Sequence, residues 1–98
     1  MYVIAIHEIH DPDNGWELAK GWTPPEGFTV HLSISGEDGR RAVCLWEAES
    51  AEAVQALLDA GFGEVARNQT FAVDQSYASE AGFPSALPLL VSATTPAQ

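Results

Sequence analysis

Three residues in the sequence have side chains that could together bind a metal ion: His7, His31 and Cys44. Imidazole nitrogens and a thiolate form a ligand set that suits nickel, zinc or copper. Each residue falls in a different segment with the pattern of a β-strand, so the three can meet only if strand alternation turns them to one face. The alternative is that they are buried or hydrogen-bonded side chains without a ligand, because cysteine commonly packs as a small hydrophobic residue.

The same residues could instead support catalysis without a cofactor. A histidine has an unperturbed pKa of about 6.5, so His7 and His31 are candidate general bases near neutral pH. Trp46 could form a wall that stacks on a flat substrate. Four residues are the candidate ligand contacts of such a cavity: Ser33, Cys44, Trp46 and Asp74.

The composition predicts one globular domain. The chain has 98 residues, of which 46% are hydrophobic. Fourteen acidic against four basic residues give a net charge of −10, which repels nucleic acid and anionic lipid surfaces. The sequence begins without the pattern of a signal peptide, and no apolar run approaches the ~20 residues of a membrane span. We therefore expect a cytoplasmic protein that binds neither nucleic acid nor membranes.

Four segments have the pattern of β-strands and two have the pattern of helices. The predicted strands cover residues 2–9, 28–35, 41–48 and 68–76. Asp11, followed by proline, is typical of the N-cap of a first helix, and Ser50 can cap a second helix. We expect the second helix to end near Gly61 in a left-handed conformation. Trp16 and Trp22, in or just after the first helix, could pack in the core or form a lid over a cavity.

The order of the predicted elements is β-α-β-β-α-β. This is the order of a ferredoxin-like α+β fold, in which two helices cover one face of a four-stranded antiparallel sheet. We assign this domain to residues 1–84 and an irregular C-terminal tail to residues 85–98, which contain Pro88 and Pro96.

Strand alternation divides the predicted sheet into two faces. We expect the helices to cover the more apolar set, which is Val30, Leu32, Ile34, Val43 and Leu45. The opposite face would then carry the candidate site residues among several apolar side chains. Because contiguous exposed apolar patches mark contact sites, we expect two chains to pair through this face and enclose a cavity.

The run from Cys44 to Val54, CLWEAESAEAV, resembles the strand-to-helix signature of small bacterial dimeric α/β-barrel proteins of unknown function. Relatives of those proteins include nickel-binding, nickel-responsive ferredoxin-like proteins. Residues 68–74 and 81–84 are similar to the way such chains finish, so the resemblance covers residues 40–84. It implies the fold and a homodimer, with metal binding as an alternative. Related barrels also include monooxygenases and polyketide cyclases, which implies a histidine base acting on an aromatic or polyketide-like substrate.

Three hypotheses follow from these observations. The first is a homodimeric protein of unassigned activity that binds a small ligand or a transition metal in a cavity over the sheet. The second is a cofactor-free enzyme that uses the same cavity. The third is a structural interaction module that docks through the apolar residues 87–91 of the tail.

Overall fold

A computed structural model describes residues 1–74, which form six regular elements. In chain order these are strand β1 (Tyr2–Ile9), helix α1 (Pro12–Lys20), strands β2 (Thr29–Ser35) and β3 (Arg41–Glu47), helix α2 (Ala51–Phe62) and strand β4 (Ala66–Ala72). The predicted order of elements is confirmed. The predicted tail and the last two residues of the predicted fourth strand lie outside the described residues. Neither helix in the described part of the chain is long and apolar enough to cross a membrane.

The four strands form one antiparallel sheet in the order β2-β3-β1-β4. β1 and β3 lie at its centre, where Ala5 pairs with Cys44. Each helix connects two strands that point in the same direction and have a third strand between them. This arrangement agrees with the ferredoxin-like fold that the element order predicts.

Local signals set the beginning of each helix. The Asp11 side chain accepts a hydrogen bond from the Asn14 N–H, and proline occupies the first helical position. The Ser50 hydroxyl accepts a hydrogen bond from the Ala53 N–H at 3.0 Å. Both contacts satisfy N–H groups that the start of a helix leaves unpaired, so both predicted N-caps are confirmed.

Two predicted boundaries are displaced. α2 continues through Gly61 and ends at Phe62, and the next residue, Gly63, caps it in a right-handed conformation. α2 thus ends one residue from the predicted position, but the predicted left-handed conformation is wrong, because Gly63 continues the right-handed backbone and donates its N–H to the Asp59 carbonyl oxygen. β4 begins at Ala66 instead of residue 68, since Ala66 still pairs with the end of β1.

The helices cover the opposite face of the sheet from the predicted one. The covered face contributes Val3, Ala5, Cys44 and Trp46 to a core that also includes Val54 and Leu58 of α2. The expectation that the more β-branched set lies under the helices is wrong. Beside Trp46 the covered face carries the small side chains of Ala5 and Cys44, which leave room for Leu58 and Phe62 of α2.

The other face of the sheet, which we call the open face, carries four of the five residues predicted to lie under the helices: Leu32, Ile34, Val43 and Leu45. Leu32 pairs with Leu45 and Ile34 pairs with Val43 in the register of β2 with β3. Four apolar side chains of the open face are exposed: Ile6, Ile34, Val43 and Phe71. These four residues share a face as predicted, but it is the face away from the helices. Val30, the fifth member of the predicted set, lies on the covered face.

An irregularity in β2 breaks the predicted alternation. The register with β3 shifts between Val30 and Leu32, and His31 falls at this point. A β-bulge of this kind changes which face the following residues occupy. Val30 and Ser33 consequently both line the space under the helices, whereas His31 contacts Glu47 on the open face.

The turn between β2 and β3 holds α1 in place through Trp16, whose indole N–H donates to the Gly39 carbonyl oxygen at 2.8 Å. Gly39 has a φ of 72°, and an added Cβ would lie 3.1 Å from Trp16 Nε1. We expect Gly39→Ala to lower the free energy of unfolding by about 1–2 kcal/mol through backbone strain. The displaced indole should lower it further, as measured by urea denaturation.

Gly27→Ala is the matched control for this substitution. Gly27 has a φ of 91°, but no described atom lies within 4 Å of its added Cβ. This variant should show the backbone strain alone. Equal losses of stability in the two variants would contradict a steric role for the contact between residue 39 and Trp16.

Candidate ligand-binding site

A cavity of about 190 Å³ lies between the helices and the covered face of the sheet. Its walls are mostly apolar, and their largest members are Trp16, Trp22, Trp46, Leu58 and Phe62. His7, Ser33, Cys44 and Asn68 add a few polar groups from the strands. Apolar walls with a small number of convergent polar groups are typical of small-molecule sites. The predicted cavity lay over the uncovered side of the sheet, whereas this one lies beneath the helices.

Trp46 is the largest fully buried side chain of the chain's described part, with 2% of its surface exposed. Trp22 and Phe28 pack edge to face against its ring, with ring centres 6.0 and 6.3 Å away. These contacts hold the indole, but its Nε1–H has no hydrogen-bond acceptor among residues 1–74. A buried donor without an acceptor costs about 1–3 kcal/mol. Trp46 therefore lines the cavity with a buried indole whose N–H lacks an acceptor in the described part of the chain.

His7 is held by a chain of hydrogen bonds that runs from β1 to α2. Its Nδ1 lies 2.7 Å from Asn68 Oδ1, in register across β1 and β4. The Asn68 side-chain amide donates to Asp59 Oδ1 at 3.2 Å. Asp59 also accepts a hydrogen bond from Gln55 within α2. The imidazole is therefore oriented by a network that includes the surface of the helix.

Cys44 lies beside Ser33, and its thiol donates to the Ser33 hydroxyl oxygen at 3.4 Å. Burial raises the pKa of the Cys44 thiol, and the hydrogen bond with Ser33 offsets only part of this rise. The thiolate is the form that attacks electrophiles and binds metals. Cys44 is therefore better suited to pack in the cavity wall as a protonated thiol than to act as a nucleophile.

His31 lies on the open face, away from His7 and Cys44. Its Nε2 is 2.9 Å from Glu47 Oε1, and its ring centre is 5.5 Å from that of Tyr2. The three residues predicted as metal ligands therefore do not converge, because the bulge in β2 turns His31 to the other side of the sheet. Nowhere in residues 1–74 do three or more His, Cys, Asp or Glu side chains form a group that could hold a metal ion.

The structure brings together most of the predicted ligand contacts. Ser33, Cys44 and Trp46 line the same cavity as His7. Asp74 does not line it, because it lies beyond the end of β4 in an exposed position. His31, the second candidate general base, lies outside the cavity as well.

Asn68 is a site residue that the sequence pattern did not single out. It is 8% exposed on β4, with its side chain directed to the covered face. Buried polar groups need partners, so a polar residue at an inward strand position is the signal that could have found it. Trp16 and Trp22, for which core packing is the favoured prediction over a lid, both line the cavity. Residues six apart on one helix would not share a face, but Trp22 lies beyond the end of α1, so its side chain can still reach the cavity.

The fold and the cavity define a ferredoxin-like α+β domain with a pocket between its two layers. Residues 5–76 match a protein family described as a domain of unknown function, DUF3303. The match covers more than half of the chain, which therefore belongs to this family. No curated protein and no solved structure gave a significant match. The family match shows no link to the nickel-binding proteins that the sequence resembles.

We expect the Cys44 thiol to react slowly in the folded chain, because burial raises its pKa and lowers the fraction of thiolate. In mildly alkaline buffer, modification by iodoacetamide should be at least about tenfold slower than in concentrated urea, as followed by mass spectrometry. Ser33→Ala should slow the reaction further, since the Ser33 hydrogen bond lowers the thiol pKa. Equal rates in the folded and unfolded chains would show that the thiol is accessible and ionised.

Proposed function

We propose that the cavity binds a small, uncharged and largely apolar molecule that carries one oxygen atom as a hydrogen-bond acceptor. The observation that supports this proposal is the Nε1–H of buried Trp46, which has no acceptor among residues 1–74. A carbonyl or hydroxyl oxygen in the cavity would accept from this group and remove the cost of leaving it unpaired.

Size and charge narrow the class of ligand. An apolar cavity of ~150 Å³ in another protein binds benzene. A cavity of about 190 Å³ therefore accommodates an aromatic ring with a small substituent or a fused ring. Trp22 and Phe62 offer aromatic surfaces against which such a ring can pack. The net charge of −10 opposes anions, so the proposed ligand is a neutral aromatic carbonyl or hydroxyl compound.

We further propose that two chains form a homodimer through the open face. Ile6, Ile34, Val43 and Phe71 each leave between 37% and 57% of their surface exposed there. Exposed apolar patches of neighbouring side chains are typical of contact surfaces. Pairing of two such faces would remove this apolar surface from water in both chains.

The charges of the open face favour a second copy of the same chain as the partner. Glu8 is in register with Arg41 on one side and Arg67 on the other, at one end of the sheet. Glu47 lies at the opposite end of β3, beside His31. A two-fold axis that runs across the strands would bring the arginine end of each chain towards Glu47 of the other chain. Elsewhere the acidic surface of one copy would repel the other.

The ligand proposal can be tested with 2-indanone and indane, two probes of the same bicyclic shape that differ by one carbonyl oxygen. Trp46→Phe keeps an aromatic ring in the wall and removes the donor. We expect the affinity for 2-indanone relative to that for indane to fall by about tenfold in this variant, the upper value of a neutral hydrogen bond. Isothermal titration calorimetry measures both affinities.

Trp16→Phe is the control variant for this experiment. It makes the same substitution at another tryptophan of the cavity wall, one whose indole bonds to the β2–β3 turn, and leaves the Trp46 donor in place. The ratio of the two affinities should remain that of the unaltered chain. If 2-indanone fails to bind the unaltered chain, or if Trp46→Phe leaves the ratio unchanged, the proposed ligand class is wrong.

The dimer proposal predicts that Ile34→Lys produces monomers, because it places a charge within the exposed apolar patch of the open face. Analytical ultracentrifugation should show the unaltered 10.5 kDa chain as a dimer and this variant as a monomer. Leu18→Lys is the control, since Leu18 is 50% exposed but lies on α1. An unaltered chain that sediments as a monomer, or a dimer that withstands Ile34→Lys, would count against the proposed interface.

A further inference from the structure

The hydrogen bonds around His7 determine which of its ring nitrogens carries the proton. The Asp59 carboxylate can only accept, so Asn68 turns its amide nitrogen towards Asp59 and its carbonyl oxygen towards His7. Since that oxygen also accepts, Nδ1 of His7 is the donor. The neutral imidazole then has its lone pair on Nε2, which is the nitrogen free to act as a base.

We infer that the cavity is a catalytic site in which Nε2 of His7 removes a proton from a carbon atom next to a bound carbonyl group. This inference rests on the proposed function and narrows its ligand to a substrate class, the enolisable and uncharged aromatic ketones and aldehydes. His7 and Trp46 line the same cavity and offer complementary groups. Trp46 provides a donor for the carbonyl oxygen, and His7 provides an acceptor for the proton.

The reaction is an enolisation, and it needs no other reactant. His7 Nε2 takes the proton, the C–H bond breaks, and its electron pair forms the C=C bond while the carbonyl π electrons move to oxygen. The charge that develops on oxygen strengthens its hydrogen bond with Trp46, since bonds to charged acceptors are the stronger ones. The imidazolium then returns the proton to the enolate, at oxygen or at carbon, which restores the neutral base.

Asn68 and Asp59 are positioning residues in this scheme. Asn68 holds the imidazole through the 2.7 Å hydrogen bond to Nδ1 and is itself held by Asp59. Gln55 fixes the same region, because its side-chain amide donates to the Asn68 backbone oxygen at 2.7 Å. An amide in this place orients the ring without adding a negative charge beside it. The hydrogen bonds that hold the His7 ring of β1 in position therefore come from residues of β4 and α2.

The direct test is exchange of the α-protons of 2-indanone with D₂O, followed by proton NMR. We expect the unaltered chain to accelerate this exchange, and His7→Gln to reduce the acceleration by at least about 100-fold, a usual contribution of a general base. His31→Gln is the matched control, because it makes the same substitution at the histidine of the open face. The His31→Gln variant should accelerate exchange of the 2-indanone α-protons as much as the unaltered chain does.

Binding and exchange together distinguish the two proposals. If His7→Gln binds 2-indanone with unaltered affinity but does not exchange it, both the ligand class and the catalytic base are supported. If the unaltered chain binds 2-indanone without accelerating its exchange, the catalytic inference is wrong and the proposed ligand class stands. If 2-indanone does not bind, both fail.

The positioning roles have a spectroscopic test. A long-range proton–nitrogen NMR spectrum should show His7 of the unaltered chain with its proton on Nδ1. Asn68→Leu should shift the ring towards the tautomer with the proton on Nε2 and slow exchange of the probe. Asp59→Leu, at an exposed position of α2, should cause a smaller shift in the same direction without disturbing the core. An unchanged tautomer in both variants would overturn the positioning roles.

Discussion

The buried indole of Trp46 is the feature on which the rest of the site depends. The strands carry the small side chains Ala42, Cys44 and Ala66 on the covered face, and these line the cavity that remains beneath the helices. Trp22 and Phe28 hold the ring but provide no acceptor for its N–H. Protein interiors are normally close-packed, and buried donors are normally bonded. Both departures occur at one residue, and together they are the support for the proposed binding site.

The two faces of the sheet have different physical roles because strand alternation separates their side chains completely. The covered face combines small residues with the polar groups of His7 and Ser33, which suits a pocket that must leave room and still direct hydrogen bonds. The open face carries β-branched side chains such as Ile34 and Val43, which form an exposed apolar surface. A surface of that kind suits a flat contact with a partner more than the enclosure of a small molecule.

The two helices are attached to the sheet in different ways. α2 is joined to β4 by side-chain hydrogen bonds, among them those of Gln55 with the Thr70 N–H and the Asn68 carbonyl oxygen. α1 is held chiefly through tryptophans, with Trp16 bonded to the β2–β3 turn. Hydrogen bonds specify distance and direction more closely than apolar contacts do. The group that orients His7 accordingly lies on the side of α2, where small displacements of the imidazole are opposed most directly.

The sequence by itself determined the order of elements and both N-caps, because Asp11 and Ser50 act on N–H groups only a few residues away. It also placed His7, Cys44 and Trp46 on one face, since alternation within a strand is a local property. Only the tertiary structure decided that this face lies under the helices, because the choice depends on the size of side chains that arrive from elsewhere in the chain. It likewise decided the position of His31, through a bulge that exists only in the pairing of β2 with β3. The partnership of Asn68 with His7 joins residues 61 positions apart, and no local pattern encodes such a contact.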